Sequence, residues 1–440
     1  MEHTFAMISL GCAKNLVNSE QMLYRMDEAG YRLVPDPDGA DLVIVNTCGF
    51  IDAAKSEAIE NILERAELKK AGRLGGILVT GCLPERYQDS ILQELPEIDA
   101  VLGVGSFGDV VAAADAVVNG EKFSRFGDNS APVEEIPRII STGPAWAYLR
   151  IAEGCNNFCA FCAIPYIRGR YRSRSMENVL AEARDMAERG IKEVIVIAQD
   201  ITRYGIDLYG EKKLSALLRE LCKMDFRWIR LHYLYPDEID DELIDTIAEE
   251  PKILKYLDIP IQHCNSEILE KMNRRGNGEY LRWLLTELRN RIPGLVLRSS
   301  IITGLPGEGE EEFTELCQFL KDMRMERVGA FPFSPQEGSE AAKMEHVDFE
   351  VAVERAQIVE ELQSRIMDDW NDSMVGKELE VLVDGYDEEM GQFFGRSYAD
   401  SPDVDGRVWI ACDEPLREGE FVMVHIDGSA EGELTGYVIE

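Results

Sequence analysis

Three thiols lie within eight residues in the sequence Cys155-Asn156-Asn157-Phe158-Cys159-Ala160-Phe161-Cys162. This loop is the strongest indication of the fold in the chain. Cysteine thiolates are the usual ligands of a four-iron cubane cluster, and three on one loop can hold three of its corners. No fourth cysteine is close in the sequence, so one iron would stay open to a ligand. A closed zinc site is the alternative, but it needs four Cys or His ligands, and no His follows nearby.

The cysteine loop follows a short apolar run, Ala147 to Ile151, which has the length of a buried strand. Further strands are predicted at Glu193 to Ala198, Trp228 to Leu231, Leu257 to Pro260, Val296 to Ile302 and Arg327 to Phe331. Five or six βα units in about 220 residues are typical of a partial or full α/β barrel. A helix from Phe349 to Asn371 would close this domain, which we place at 144–371. The cysteine loop would then lie at the barrel mouth, where such folds carry their chemistry.

The first 120 residues predict a separate domain, because strand and helix patterns alternate there and favour a parallel α/β sheet. The expected strands are Phe5 to Leu10, Leu42 to Val45 and Ile77 to Thr80, and the expected helices are Ser19 to Ala29 and Ala53 to Ala71. Each strand ends close to a cysteine beside a glycine, in Ser9-Leu10-Gly11-Cys12, Asn46-Thr47-Cys48-Gly49 and Thr80-Gly81-Cys82-Leu83.

The carboxyl ends of parallel strands share one edge of a sheet, so Cys12, Cys48 and Cys82 would converge there. The neighbouring glycines would leave room for a bulky group. A second three-thiolate iron–sulfur site is therefore expected, with three buried core thiols as the alternative.

Residues 121–143 mix Gly, Ser, Pro and charged residues without a long period and are predicted as a linker. Residues 372–440 alternate short strand patterns with Gly and Asp turns, which predicts a small all-β barrel. The tail from residue 371 has 18 acidic and 4 basic residues, a net charge of −14. Cys222, Cys317 and Cys412 have no cysteine neighbours and are predicted as core or incidental thiols.

The whole chain has a net charge of −36. Nucleic-acid binders usually need a basic face, so RNA is not expected as the main partner, and a basic protein or a small molecule is favoured. The alternative is that the acidic surface only keeps the protein soluble, as in many cytosolic proteins. Because the chain has no run of about 18 apolar residues and no signal-peptide pattern, a cytoplasmic protein without a membrane partner is expected.

The Cys155 loop and the three glycine–cysteine sequences together resemble the radical S-adenosylmethionine (SAM) methylthiotransferase family, over essentially the whole chain. The resemblance implies an N-terminal cluster domain, a radical SAM barrel and a C-terminal TRAM domain. It also implies two [4Fe–4S] clusters, one held by Cys12, Cys48 and Cys82 and the other by Cys155, Cys159 and Cys162. One SAM would donate a methyl group to a sulfur at the N-terminal cluster, and a second would supply the radical that removes hydrogen from a C–H bond.

Several barrel residues are candidates for binding the cofactor, whereas no catalytic residue is expected beyond the clusters. Phe161 matches the aromatic residue that the family usually has there, with an ordinary core aromatic as the alternative. Thr303 and Gly304 lie in a Gly/Pro loop that resembles the family's SAM-supporting loop, and Gln199 ends another strand; a plain βα turn would explain these equally. His263 is predicted either to face the ligand or to be a satisfied structural histidine.

A basic run from Arg168 to Arg174 follows the cysteine loop. It could bind a phosphate, the SAM carboxylate or a target aspartate, and we expect at least one of its arginines to orient a carboxylate. Arg168 is therefore also a candidate cofactor-binding residue. A solvated charge run is the alternative.

The sequences at 11–15, 47–51 and 231–236 resemble those of the family branch that modifies an aspartate of the basic ribosomal protein S-twelve, rather than tRNA adenosine. The acidic tail agrees with a basic protein substrate. An electron donor would also be needed. The alternatives are a tRNA methylthiotransferase, a non-catalytic iron–sulfur protein on the ribosome and a zinc-stabilised binding protein.

Overall fold

The computed structural model describes residues 3–88 and 90–439 and contains two open six-stranded sheets, a closed β-barrel and a small two-stranded sheet. The predicted fold class is confirmed, since an α/β sheet, a partial α/β barrel and a small β-barrel follow one another along the chain. No helix within the described ranges is long and apolar enough to cross a lipid bilayer.

The N-terminal sheet is entirely parallel and has the strand order β2-β1-β3-β4-β5-β6. Its strands are β1 (Thr4–Ser9), β2 (Arg32–Leu33), β3 (Leu42–Thr47), β4 (Ile77–Gly81), β5 (Ala100–Leu102) and β6 (Phe123–Arg125). Its helices are α1 (Ala13–Glu28), α2 (Asp52–Lys70), α3 (Cys82–Tyr87), α4 (Ser90–Glu94) and α5 (Val110–Val118). Every residue of β3 and β4 is buried, as expected for central parallel strands with helices on both faces.

Two predicted boundaries in this part of the chain are wrong. The helix expected from Ser19 begins at Ala13, because the polar residues of its first turns are buried against the rest of the protein rather than exposed. The segment predicted as a linker, 121–143, starts with β6, whose Phe123 pairs with Ala100 at the sheet edge. Three residues are too few to show a strand period in the sequence.

The second sheet is a partial barrel of parallel strands in the order β7-β10-β11-β12-β13-β14. Its strands are β7 (Trp146–Arg150), β10 (Glu193–Ile197), β11 (Trp228–Leu231), β12 (Ile253–Asp258), β13 (Val296–Thr303) and β14 (Arg327–Pro332). The short strands β8 (Ala152–Glu153) and β9 (Arg172–Ser173) form an antiparallel pair that flanks the cysteine loop.

Nine helices of the described chain belong to this region: α6 (Ile164–Ile167), α7 (Met176–Glu188), α8 (Ile206–Tyr209), α9 (Leu214–Cys222), α10 (Asp241–Glu249), α11 (Ser266–Lys271), α12 (Gly278–Arg291), α13 (Glu310–Met323) and α14 (Phe349–Met374). The strand expected at Leu257 to Pro260 instead runs from Ile253 to Asp258. Lys255 hides the apolar pattern in the sequence, and its ammonium group donates to the carbonyl oxygens of Ala248 and Glu250.

The C-terminal unit is a closed five-stranded barrel in the order β15-β16-β17-β19-β18. Its strands are β15 (Glu378–Asp387), β16 (Gln392–Arg396), β17 (Val408–Ala411), β18 (Phe421–Ala430) and β19 (Glu433–Val438). Alternate residues such as Val381, Val383, Val424 and Ile426 fill its interior.

The C-terminal barrel packs against the amino ends of the α/β-barrel strands. Glu193, the first residue of β10, accepts hydrogen bonds from Arg230 Nε at 2.7 Å and from Arg396 Nη1 at 2.6 Å. The Tyr256 hydroxyl donates to Asp405 Oδ2 at 2.6 Å. The carboxyl ends of the barrel strands therefore face away from this contact and toward the N-terminal domain.

Candidate functional site

The Cys155–Cys162 loop is held at the barrel mouth by main-chain hydrogen bonds. The Cys155 amide donates to the Gly169 carbonyl at 3.2 Å, and the Ala160 amide donates to the Met272 carbonyl at 2.8 Å. Asn157 Nδ2 donates to Asp200 Oδ2 at 2.8 Å, which ties the loop to the end of β10. The loop is thus fixed at several points before any ligand binds.

Polar hydrogens point at each of the three sulfur atoms of this loop. The Asn157 amide lies 3.5 Å from Cys155 Sγ, the Ile164 amide lies 3.5 Å from Cys162 Sγ, and Arg274 Nη1 lies 3.7 Å from Cys159 Sγ. Hydrogen bonds to the sulfurs are a regular feature of iron–sulfur sites, where they stabilise thiolate charge.

The three thiols are also close enough to influence one another. Burial raises the pKa of Cys155 to about 12, and the neighbouring Cys159 adds to the rise. Burial and Cys159 likewise raise the pKa of Cys162. The raised pKa values favour the protonated thiols of Cys155 and Cys162. A donor set of three half-buried, adjacent thiols fits a cluster that replaces the protons with positive iron.

The second group, Cys12, Cys48 and Cys82, lies at the carboxyl ends of the neighbouring strands β1, β3 and β4. Cys12 caps α1, and Cys82 begins α3. A Cβ atom on Gly11 would lie 2.8 Å from Cys48 Cβ, and one on Gly49 would lie 2.8 Å from the Leu83 amide nitrogen. The glycines therefore allow the three cysteine loops to touch.

The pKa values of the three cysteines in this second group shift in different directions. Burial opposes ionisation of Cys12, but Lys14 and Arg168 outweigh it, so the pKa of Cys12 is below its ordinary value. Burial raises the pKa of Cys48 to about 11, with a further contribution from Cys82. Burial raises the pKa of Cys82 as well, although Arg168 opposes the shift. Three adjacent thiols, one of them with a lowered pKa, also fit an iron–sulfur cluster.

Neither of the two cysteine groups has the geometry of a site for a single metal ion. In the described part of the chain, no three His, Cys, Asp or Glu side chains are arranged around one metal-ion position. Cys222, Cys317 and Cys412 lie on other elements, respectively at the end of α9, in α13 and after β17.

A buried hydrogen-bond network joins the two cysteine groups. Arg168 Nη1 donates to both carboxylate oxygens of Glu153 at 3.0 Å, and its Nη2 donates to Asn15 Oδ1. Asn15 Oδ1 also lies 3.7 Å from Cys82 Sγ, and Glu153 is two residues before Cys155. Gln199 Nε2 donates to Glu153 Oε1 at 2.7 Å.

The role of Glu153 and Asn15 is not predicted from the sequence. The available signal is a carboxylate two residues before Cys155 and an amide three residues after Cys12, because such groups are buried only with partners.

The basic run divides into different roles. Arg168 and Arg174 are buried and pair with the chain's own carboxylates, so for these two the solvated-run alternative is wrong. Arg170 is exposed, and its guanidinium lies 4.3 Å from the centre of the Phe158 ring. The carboxylate that Arg168 orients is Glu153.

The other candidate residues also have defined places. Phe161 is buried and packs in an apolar cluster beside Cys159 and Cys162. Thr303 Oγ1 donates to the Ala352 carbonyl at 2.8 Å, and a Cβ atom on Gly304 would collide with Ala352, so both residues seat α14 against the barrel.

His263 contacts Asn265 and Glu308 of the chain itself. It is fully buried, and its Nδ1 accepts a hydrogen bond from the Asn265 amide at 3.0 Å. Its Nε2 lies 3.2 Å from Glu308 Oε2, and this nitrogen makes no hydrogen bond among the described residues.

Family models match three parts of the chain. Residues 149–320 match the radical SAM superfamily, residues 4–103 match an uncharacterized protein family, UPF0004, and residues 375–439 match the TRAM domain. These matches fall on the partial barrel, the N-terminal sheet and the C-terminal barrel, respectively.

Solved structures of low sequence identity share the fold. The cobalamin-binding radical SAM methyltransferase TsrM from Kitasatospora setae superposes with a TM-score of 0.56 at 15% identity, covering 76% of this chain and 77% of that one. The cobalamin-dependent radical enzyme OxsB superposes with a TM-score of 0.51 at 12% identity, covering 82% of this chain and 56% of that one.

Curated relatives match over almost the full length. The ribosomal protein uS12 methylthiotransferase RimO of Lachnoclostridium phytofermentans is 47% identical over 432 residues, 98% of each chain. The protein of the same name from a Thermoanaerobacter species is 46% identical, again over 98% of each chain. At this identity and coverage, the chain belongs to the ribosomal protein uS12 methylthiotransferase family.

Proposed function

We propose that this chain is a radical SAM methylthiotransferase that adds a methylthio group to the β-carbon of an aspartate in ribosomal protein uS12. Its near full-length identity to enzymes of that name supports the reaction and the substrate. The structural observation that carries the proposal is the pairing of two three-thiol groups across the buried Arg168–Glu153 contact. A sulfur-inserting radical enzyme needs one site for the radical and another for the sulfur.

The cofactors that we propose are SAM and two [4Fe–4S] clusters, each with three cysteine ligands and one open iron. Cys155, Cys159 and Cys162 would hold one cluster, and Cys12, Cys48 and Cys82 would hold the other. When bound, these groups would supply the radical, the sulfur and the methyl group, with electrons from a separate donor.

The chain's own residues position those groups and exclude water. Arg168 and Glu153 fix the distance between the two cysteine groups. Gln199 donates to Glu153 through Nε2, and its Oε1 is a buried acceptor without a hydrogen-bond partner among the described residues. We therefore propose that Gln199 Oε1 accepts a hydrogen bond from SAM and that Phe161 forms an apolar wall beside it.

The remaining candidates act through the protein. The polar groups of Thr303, Gly304 and Arg168 all bond to other residues of the chain. We propose that they shape the SAM pocket and do not contact SAM directly.

A protein substrate is favoured over tRNA by charge as well as by family. The chain has a net charge of −36, and Lys- and Arg-rich ribosomal proteins would be attracted where tRNA phosphates would be repelled. Because the proposed substrate is a ribosomal protein, we place the reaction in the cytoplasm.

The test offers purified uS12 and bulk tRNA in parallel to the anaerobically reconstituted enzyme with SAM, sulfide and a strong reductant. Mass spectrometry should find a methylthio group on one aspartate of uS12 and none on tRNA. Modified tRNA beside unmodified uS12 would support the tRNA alternative. SAM left uncleaved in both reactions would support the non-catalytic alternative.

A further inference from the structure

Lys14 is a buried cation without a carboxylate partner. It is 7% exposed and forms no ion pair with any Asp or Glu among residues 3–88 and 90–439. A lysine is rarely buried unless it is paired, because its ammonium group loses its water. The buried arginines of the described chain that do pair with a carboxylate are Arg138, Arg150, Arg168, Arg174, Arg230, Arg327, Arg355 and Arg396.

Arg274 is the other buried cation without a carboxylate in this part of the chain, but its donors are used. Its Nη1 faces Cys159 Sγ, and its Nη2 donates to the Pro260 carbonyl. The Lys14 ammonium instead lies over an aromatic face, with Nζ 3.4 Å from the centre of the Tyr233 ring. That contact attracts the cation, but a neutral ring does not balance its charge.

The chain holds Tyr233 in an unusual conformation to make this contact. Its φ angle is 66°, which a non-glycine residue keeps only where its surroundings fix it. The Tyr233 amide donates to Asp258 Oδ2 at 3.2 Å, and its carbonyl accepts from the Ile201 amide at 3.0 Å. The ring is thereby fixed just beyond the end of β11, under the Lys14 ammonium.

The position of this pair matches that of a substrate rather than of SAM. Lys14 lies two residues after Cys12, in the proposed sulfur site, and reaches Tyr233 at the barrel mouth. The target carbon must lie between the sulfur site and the radical site. The carboxylate of SAM is expected at the other group, on the Cys155–Cys162 loop, where Arg274 is the nearby cation.

We propose that Lys14 binds the side-chain carboxylate of the target aspartate and that Tyr233 positions the Lys14 ammonium. The inference rests on the proposed function and adds the group that recognises the substrate aspartate. An ammonium–carboxylate pair in a water-poor site selects aspartate over asparagine, because only aspartate carries the compensating charge.

The test measures the affinity of the reconstituted enzyme for two uS12-derived peptides, one with the target aspartate and one with asparagine in its place. Wild-type enzyme should bind the aspartate peptide about tenfold more tightly. Lys14→Met and Lys14→Gln should reduce this preference to about twofold or less, and Lys14→Arg should retain most of it. Lys70→Met, at a side chain that is 79% exposed, is the matched control and should leave the preference unchanged.

Two further readouts separate the outcomes. Iron and sulfide content should match wild type in the Lys14 variants, and so should the affinity for SAM. An aspartate preference that survives in both Lys14→Met and Lys14→Gln would overturn the inference alone. Weaker SAM binding with an unchanged preference would also overturn it, by assigning Lys14 to the SAM carboxylate. Wild-type enzyme that binds neither peptide would overturn the proposed substrate together with the inference.

Discussion

Arg168 Nη1 lies 3.0 Å from both carboxylate oxygens of Glu153, in a pair that solvent barely reaches. Burial opposes ionisation of Glu153, but Arg168 and Arg150 outweigh it and lower its pKa to about 2. Glu153 is therefore a carboxylate throughout the physiological range. Arg168 reaches Asn15 from the same position, so this pair couples the partial barrel to the N-terminal cysteine site.

Glu153→Gln should destabilise the protein strongly, because it leaves Arg168 and Arg150 buried without their carboxylate. We expect a loss of about 3–5 kcal/mol in the free energy of unfolding, measured with urea. Glu67→Gln, at a side chain that is 76% exposed, is the control and should change it by less than about 0.5 kcal/mol. Equal stability of both variants would show that the buried pair is not a structural link.

The two cysteine groups should be separable by mutation. The triple variant Cys12→Ala, Cys48→Ala, Cys82→Ala should lose about half of the bound iron while it still cleaves SAM, since the radical site is intact. It should form no methylthio product. Cys222→Ala and Cys412→Ala should keep the full iron content. Full iron in the triple variant would contradict the assignment of these cysteines as ligands.

Gly11→Ala tests whether the cysteine loops must approach each other closely. Gly30→Ala is the control, because it introduces backbone strain without a steric clash. Gly11 and Gly30 have similar φ angles, 88° and 81°, so alanine costs about 1–2 kcal/mol in backbone strain at either position. A Cβ atom would meet Cys48 at Gly11, whereas it would meet nothing within 4 Å at Gly30. Gly11→Ala should therefore lose iron and Gly30→Ala should not. Equal iron content would indicate that the loops can move apart without losing the site.

Acid should reduce the stability of the protein because it weakens the contact between the partial α/β barrel and the C-terminal barrel. Burial opposes ionisation of Glu193, but Arg396 and Arg230 outweigh it and hold its pKa below the ordinary 4.5. A lowered pKa contributes stability above the unfolded value and loses it as the pH falls through the folded one. The melting temperature of the iron-free protein should therefore drop more as the pH falls below about 4.5 in wild type than in Glu193→Gln. Parallel curves would exclude Glu193 as the source.

The sequence is sufficient to predict the three units and the positions of both cysteine groups. Cysteines at the ends of neighbouring parallel strands lie along one edge of the sheet, and the glycines beside them allow a close approach. The sequence is also sufficient to predict most strands, because their apolar runs correspond to buried strands in the structure. It fails at β6 and at the start of β12, where three residues or one lysine hide the pattern.

The contacts between units are beyond prediction from the sequence. Glu153 and Arg168 are 15 residues apart, but Arg168 and Asn15 are separated by 153. A buried ion pair and a solvated charge run have the same local composition, and only the tertiary packing distinguishes them. The same holds for Lys14 and Tyr233, whose contact depends on the packing of two units.

The most direct test of the central claim uses uS12 deuterated at the β-carbon of its aspartates. Deuterium from the modified aspartate should appear in the 5′-deoxyadenosine released from SAM, in the same reaction that adds the methylthio group to that residue. Methylthiolated uS12 with unlabelled 5′-deoxyadenosine would contradict removal of hydrogen from that carbon. Unmodified uS12, beside methylthiolated tRNA in a parallel reaction with bulk tRNA, would contradict the proposed substrate.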